Sequence, residues 1–229
     1  MLSSNAFDLL KMEMKIKNKF KIMSNNNVYK TLVLCIFSLI VTFAFALYNA
    51  YLGIKFSDTF AIAISIYYIL LIWVKVATIV VEKRIWRKEE EYKARVRTKN
   101  YKISFVFVII IDLALIAPIL LMVVYPKEVN FGIIPAIAMA TYSFYKIISS
   151  IINYKRSKRS QNLTIILLRE LNIIEAVVSI LILQHTLIMV NGGMVDSMRS
   201  LSFVTSVGFI LLIIVFSILS YLKNKKLFK

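Results

Sequence analysis

Six charged side chains interrupt the apolar blocks of this 229-residue chain, and their types could support ion or proton chemistry. They are Lys75, Asp112, Lys146, Arg169, Glu170 and Glu175. A charge at the centre of a bilayer costs roughly 2.5–3.5 kcal/mol on insertion scales, so such a residue indicates a functional site by default. All six fall near the middle of their blocks or toward the basic loops. Similar depth and balanced sign predict pairing between helices.

Helical spacing places further polar residues beside these charges. In the fifth block Asn172 lies one turn before Glu175, and in the fourth block Tyr142 lies one turn before Lys146. Polar stripes on membrane helices face the bundle interior or water, so we expect a polar region that is open, or nearly open, to the cytoplasm. The candidate intramembrane site consists of Glu175, Asp112, Arg169, Lys75, Lys146, Asn172, Glu170 and Tyr142. Glu175 and Asp112 are its strongest members, because their short side chains cannot reach the headgroups.

The first and last blocks differ in polarity. Cys35, Ser38 and Thr42 form a milder stripe at helical spacing in the first block. The sixth block is nearly free of polar groups after Ser206. We therefore expect the first five helices to surround the polar region and the sixth to serve for packing.

A structural interpretation competes with the functional one. Lys75 and Lys146 have long stems that can extend toward the headgroups. The fifth block holds 28 residues, more than the roughly 20 that a span needs. Arg169 and Glu170 would then lie at the interface, with the preceding LTIILL along the membrane surface. In this interpretation the charges are ion pairs or interfacial groups.

Metal, cofactor and enzyme chemistry have no recognisable pattern here. The chain has one histidine, His185, and one cysteine, Cys35, so the sequence contains no metal-ligand cluster and we predict no cofactor. The glycines form no phosphate-binding loop, and neither G-x-S-x-G nor H-E-x-x-H occurs. We expect a protein that is not an enzyme, and we interpret His185 as a hydrogen-bonded residue near the outer end of its block.

The elements that position the charges are six apolar blocks of about 20 residues, a length typical of transmembrane helices. The blocks are 31–52, 59–81, 103–125, 133–152, 163–190 and 201–222. The chain is 59% hydrophobic, with a mean hydropathy of +0.76. Because a spanning segment must satisfy its own backbone groups, the sequence predicts an all-α, polytopic integral membrane protein with a six-helix bundle. Pro118 predicts a kink in the third helix.

The distribution of charge predicts the orientation of this bundle. Of the 29 lysines and arginines, 23 lie in 1–30, 83–102, 155–159 and 223–229. Basic loops mark the cytoplasmic side, so we expect both termini in the cytoplasm and the helices in three hairpins. The net charge of +17 then reflects orientation and attraction to anionic headgroups. We expect no nucleic-acid partner.

Three segments lie outside the apolar blocks. Residues 1–30 form a basic cytoplasmic or interfacial segment, and 223–229 form a basic cytoplasmic tail. The charged connection 82–102 is expected to continue the second helix, with Glu89–Lys93 and Glu91–Arg95 as supporting pairs. The alanines of AFA at 44–46 are compatible with a signal-peptidase site, but the long basic region before them favours an uncleaved first helix.

Our leading hypothesis is a small transporter or channel-like protein for an ion or small polar solute, in the cell membrane (plasma or inner) of a microbe. The abundance of Lys, Ile and Asn fits an AT-rich microbial genome. One alternative is a non-catalytic membrane accessory, sensor or immunity-type protein that binds a protein partner or forms a homo-oligomer. A second alternative is a lipid-modifying membrane enzyme.

Overall fold

A computed structural model of the chain describes residues 27–117, 119–120, 132–157, 161–190 and 196–228. Long α-helices make up most of these residues. They are α1 (Asn27–Phe56), α2 (Thr59–Ile85), α3 (Glu90–Ala114), α4 (Ile133–Ser157), α5 (Leu163–Val190) and α6 (Asp196–Asn224), followed by a short 3-10 helix at Lys225–Leu227. No strand occurs in these ranges. The all-α prediction is therefore confirmed.

Within the described residues, four helical segments are long and apolar enough to cross a membrane. They are Val33–Phe56, Thr59–Ile85, Leu163–Val190 and Ser200–Leu227. Their length and composition are those of a membrane protein. α4 is not among them, because polar residues such as Lys146 and Asn153 lower its hydropathy.

The predicted third span, 103–125, is described only in part. α3 ends at Ala114, and the kink predicted at Pro118 lies outside the described residues. Residues 1–26 of the N-terminal segment, and residues 121–131 at the end of the third block and in the turn after it, also lie outside them. The count of six spans and the three hairpins therefore stay predictions.

Apolar side chains cover the outside of the bundle, and polar side chains lie within it. Ile54 and Trp73 are 75% and 69% exposed, whereas Lys75, Asp112 and Glu175 are 0% exposed. Exposing so much apolar surface to water would be unfavourable. In lipid the same arrangement is favourable, because the acyl chains solvate the apolar face and the interior provides partners for the polar groups.

α5 is the central helix of the bundle. It packs against α1, α2, α3, α4 and α6, and most of its side chains are buried. Asn162 starts it by accepting a hydrogen bond from the backbone N–H of Thr164 at 2.9 Å. The helix then runs unbroken from Leu163 to Val190, and its first six residues, LTIILL, are buried. The burial of LTIILL inside the bundle favours a place within the span, and the alternative in which it lies along the membrane surface stays a hypothesis.

The connection 82–102 reverses direction and does not continue α2. α2 ends at Ile85, and α3 begins at Glu90 after the extended residue Glu89, whose ψ is 151°. Glu90 and Glu91 lie in the first turn of α3. There their negative charge stabilises the positive end of the helix dipole. The expected continuation of α2 is therefore wrong.

One of the two predicted ion pairs in this connection forms as expected. Arg95 lies 3.7 Å from Glu91. Lys93 instead binds Glu90 at 2.7 Å. Glu89 precedes the helix, so its side chain is not on a helical face one turn before Lys93.

A tight turn joins α1 to α2. A Cβ atom on Gly53 would lie 2.5 Å from Cγ1 of Ile62 and 2.9 Å from its backbone nitrogen. Asp58 then starts α2 by accepting a hydrogen bond from the N–H of Phe60 at 3.1 Å. Gly53 thus permits an approach of the two helices that a larger residue would prevent.

Candidate functional site

Glu175 bridges two lysines at the centre of the bundle. Its Oε1 lies 2.7 Å from Nζ of Lys75 on α2, and its Oε2 accepts a hydrogen bond from Nζ of Lys146 on α4. The side chains of Lys75 and Glu175 are 0% exposed, and that of Lys146 is 2% exposed. We call these three residues the core charge cluster. It confirms the predicted pairing between helices for half of the six charges.

Neutral polar groups also bind the lysines. Nζ of Lys75 donates to Oδ1 of Asn172 at 2.7 Å. Nζ of Lys146 donates to Oγ of Ser38 at 3.0 Å and to Oγ1 of Thr42 at 2.5 Å. The stripe predicted on the first helix therefore does face the charges. The Nδ2 group of Asn172 is buried without an oxygen or nitrogen partner within the described residues.

Aromatic rings form one wall of the core charge cluster. Nζ of Lys146 lies 5.6 Å from the ring centroid of Tyr142. That ring stacks on Phe45, with centroids 3.6 Å apart, and meets Tyr68 edge-on at 6.0 Å. Such packing excludes water, and a low local dielectric strengthens the attraction between the ions. The three charged side chains are sealed from the surface of this structure, whereas the sequence predicted a polar region that is open, or nearly open, to the cytoplasm.

The core charge cluster is not electrically neutral. Two ammonium groups share one carboxylate, so the cluster carries one net positive charge when all three are ionised. Removing ions from water costs several kcal/mol each, roughly, and the mutual attraction recovers this only with good geometry. An excess of one buried charge is therefore an unusual feature of the core.

Asp112 lies apart from the core charge cluster. Its Oδ1 accepts a hydrogen bond from the hydroxyl of Tyr67 at 3.0 Å. Its Oδ2 is buried without a hydrogen bond among the described residues. No ion pair joins Asp112 to a base in that part of the chain. The structure thus places this predicted site residue between α2 and α3, outside the cluster.

Glu170 forms a second polar group, with α3 and α6. Its carboxylate accepts hydrogen bonds from the hydroxyl of Tyr101 at 3.0 and 3.1 Å, from Nδ2 of Asn224 at 3.1 Å, and from the hydroxyl of Ser220. The expectation that α6 serves only for packing is therefore wrong. Ser220 and Asn224 lie one turn apart on α6 and could have been recognised as a polar stripe.

Arg169 faces away from Glu170, its neighbour in sequence. Its guanidinium lies 5.4 Å from the ring centroid of Tyr154 on α4. Successive residues on a helix point about 100° apart, so Arg169 and Glu170 cannot share one face. Neither belongs to the core charge cluster.

A third polar group joins α2, α3 and α5. Glu82 is 0% exposed and accepts a hydrogen bond from Nε of Arg97 at 3.0 Å and from the hydroxyl of Thr164 at 2.7 Å. Sequence reasoning assigned both residues to the charged connection 82–102 and did not predict that they would pair. Only the reversal of the chain after Ile85 brings Arg97 back to Glu82, and the sequence pattern did not predict that reversal.

His185 binds Asp58 at the opposite end of α5. Nε2 of His185 lies 3.1 Å from Oδ2 of Asp58, so the interpretation of His185 as a hydrogen-bonded residue is confirmed. Burial raises the pKa of Asp58, but the hydrogen bonds from His185 and from the N–H of Phe60 outweigh it and hold the pKa below its usual 3.8. This pair fixes the start of α2 to α5.

Of the candidate site residues, the structure brings together Lys75, Lys146, Asn172, Tyr142 and Glu175. It places Asp112, Arg169 and Glu170 elsewhere. No group of three or more His, Cys, Asp and Glu residues suited to a metal ion occurs in the described ranges. The cluster can hold or exchange charge in a dry core. No protein-family model, curated protein or solved structure matches the chain.

Proposed function

We propose that this chain is a multi-pass membrane transporter or channel-like protein for an ion or small polar solute, with the core charge cluster as its central site. The observation that carries the proposal is the burial of Lys75, Lys146 and Glu175 at 0–2% exposure. Replacing a buried ion set with apolar residues of similar volume is often neutral or stabilising. Ionised groups in the core of a membrane bundle are therefore best explained by function.

The position of the cluster supports this role. Its three charges come from α2, α4 and α5, and α1 contributes Ser38 and Thr42 through their bonds to Lys146. A solute that binds here changes the forces on four helices at once. A ligand shifts a conformational equilibrium by its different affinity for the two states, so this site is placed to couple binding to helix movement.

The membrane topology is part of the proposal. We infer six spans with both termini in the cytoplasm of a cell-membrane protein, with basic loops that contact anionic headgroups. The four apolar helices and the basic segments of the sequence support it.

Flux measurements test the proposal directly. The protein is reconstituted into proteoliposomes, and uptake of inorganic ions is compared for wild type, Glu175→Gln and the control Glu91→Gln. The Glu91 side chain is 88% exposed, so its variant should transport like wild type. Glu175→Gln should lose flux while its helical circular dichroism is retained. Wild-type flux in Glu175→Gln, or no flux in any protein, contradicts the proposal.

A second candidate is a non-catalytic membrane accessory protein. The observation that favours it is the complete bonding of Lys146, whose ammonium contacts three oxygens from α1 and α5. A fully bonded cluster could simply hold helices together. This candidate predicts a stable protein partner or a homo-oligomer in mild detergent, and light scattering that shows a lone monomer contradicts it.

A further inference from the structure

We propose that the core charge cluster binds a small monovalent anion, with the ammonium of Lys75 and the side-chain amide of Asn172 as donors and the positive charge of Lys146 as a further attraction. The inference rests on the proposed function and deepens it, because it names the class of solute. It follows from charge and from hydrogen-bonding capacity.

One more negative charge would neutralise the core charge cluster. Glu175 neutralises one of the two lysines, and both are sealed from water at 0–2% exposure. Asp112 binds Tyr67 and forms no ion pair with either lysine within the described residues, so it does not supply that charge at contact distance. A monovalent anion balances the cluster, whereas a divalent anion would reverse its sign.

The hydrogen-bonding groups of the cluster select an anion over a cation. An ammonium has three N–H donors. Those of Lys146 are used by Glu175, Thr42 and Ser38. The ammonium of Lys75 contacts two groups, Glu175 and Asn172.

One donor in this region has only a weak acceptor. Nδ2 of Asn172 is buried without an oxygen or nitrogen partner in the described part of the chain, and its neighbour is the sulfur of Cys35. A donor left unsatisfied in a core costs about 1–3 kcal/mol. Together with the remaining N–H of Lys75, it offers donors to a ligand that only accepts hydrogen bonds. An anion such as chloride or nitrate is such a ligand, and a cation is not.

Glu175 already shows how the two lysines hold an anionic group. Each ammonium contacts one oxygen of its carboxylate. Asn172 lies one turn before Glu175 on α5, so its amide and Lys75 lie on the same side of the cluster. A small anion can therefore bind beside Glu175, or exchange with one of its oxygens, without leaving the reach of both lysines.

Thermal unfolding with chosen anions tests the inference. Full-length protein in detergent is unfolded in sodium chloride, sodium nitrate or sodium gluconate at equal ionic strength, with tryptophan fluorescence as the signal. Wild type should show a saturable rise in midpoint with chloride and nitrate over gluconate, because a ligand that binds only the folded state stabilises it. Lys99→Met removes an exposed lysine and should behave like wild type.

Two substitutions of Asn172 sharpen the test. Asn172→Asp places a second carboxylate beside Lys75, so its midpoint in gluconate should be at least that of wild type and should not depend on chloride. Asn172→Leu removes the amide donor and should weaken the apparent chloride affinity at least about tenfold, as loss of a charge-assisted hydrogen bond implies. Neither variant removes a charge from the cluster, so both should fold.

The outcomes separate the inference from the proposed function. Equal wild-type unfolding midpoints in all three salts overturn the anion site; a neutral lysine would produce this result. A chloride dependence in Asn172→Asp as large as that of wild type overturns it too. Anion-dependent stability without flux supports the site and contradicts transport. Flux of a cation or neutral solute by a protein whose unfolding midpoint does not depend on anions supports transport and contradicts the anion site.

Discussion

Removing the carboxylate of the core charge cluster should destabilise the protein far more than removing one of its lysines. Glu175→Gln leaves two buried ammonium groups without a counter-ion and doubles the net charge of the cluster. Breaking a buried pair by deleting one partner costs about 3–5 kcal/mol. Because Glu175 serves two partners, we expect a loss of at least that size.

The variant Lys146→Met leaves a core charge cluster that is neutral. Lys146→Met leaves the Lys75–Glu175 pair at 2.7 Å intact and removes the excess positive charge. It also loses the bonds from Lys146 to Ser38 and Thr42, whose hydroxyl groups can turn to other acceptors. Hydrogen bonds to a charged group contribute about 1.5–3 kcal/mol. We therefore expect Lys146→Met to lose less stability than Glu175→Gln, which breaks both ion pairs and leaves two unbalanced charges.

The assay is unfolding by sodium dodecyl sulfate in mixed micelles, in gluconate buffer so that bound anions do not contribute. Trp73 and Trp86 report the transition by fluorescence, and both lie on or next to α2, which carries Lys75. Lys99→Met serves as the control for loss of a lysine outside the cluster. If Lys146→Met is as destabilising as Glu175→Gln, charge balance does not govern the core and the reasoning fails.

Three further predictions concern other parts of the bundle. Gly53→Ala should destabilise the α1–α2 turn by about 1–3 kcal/mol, because its new methyl group would lie 2.5 Å from a side-chain atom of α2; a melting temperature equal to wild type contradicts this. Arg97→Met should cost about 3–5 kcal/mol, because it leaves the buried Glu82 without a counter-ion, and the double variant with Glu82→Gln should recover part of the loss. Asp58→Asn should remove an acid-labile contribution, since the lowered pKa of Asp58 stabilises the fold above pH 3.8 and the stabilisation is lost as pH falls below it; wild type should be more stable than the variant at neutral pH and the difference should shrink as pH falls below 3.8, and a difference that stays constant into acid argues against the His185–Asp58 pair.

Much of the fold could be predicted from the sequence, because whether a segment enters lipid as a helix depends on the hydrophobicity of its own residues. The block 163–190 was predicted with the bounds that α5 has. The other described helices begin or end within several residues of their blocks, except α3, whose charged first half was assigned to a connection. That error has a physical cause: helical propensity and i,i+4 pairs look alike in a helix that continues and in one that restarts.

The site was predicted in part for a similar reason. The sequence identified which residues are costly to bury, and spacing on a single helix placed Asn172 beside Glu175 and Tyr142 beside Lys146. Spacing cannot tell which faces of different helices meet. Asp112 and Glu170 have the same chemistry as Glu175, yet they bind only neutral partners among the described residues.

The sequence by itself determined that this is a helical chain with the composition of a membrane protein and six charges inside its apolar blocks. Both properties depend on residue type and local order, which the transfer of side chains and backbone into lipid fixes directly. Only the tertiary structure decided that two lysines share one glutamate, since that depends on the packing of three helices that are distant in the chain. The net positive charge of the core, and with it the inferred affinity for an anion, follows from that packing.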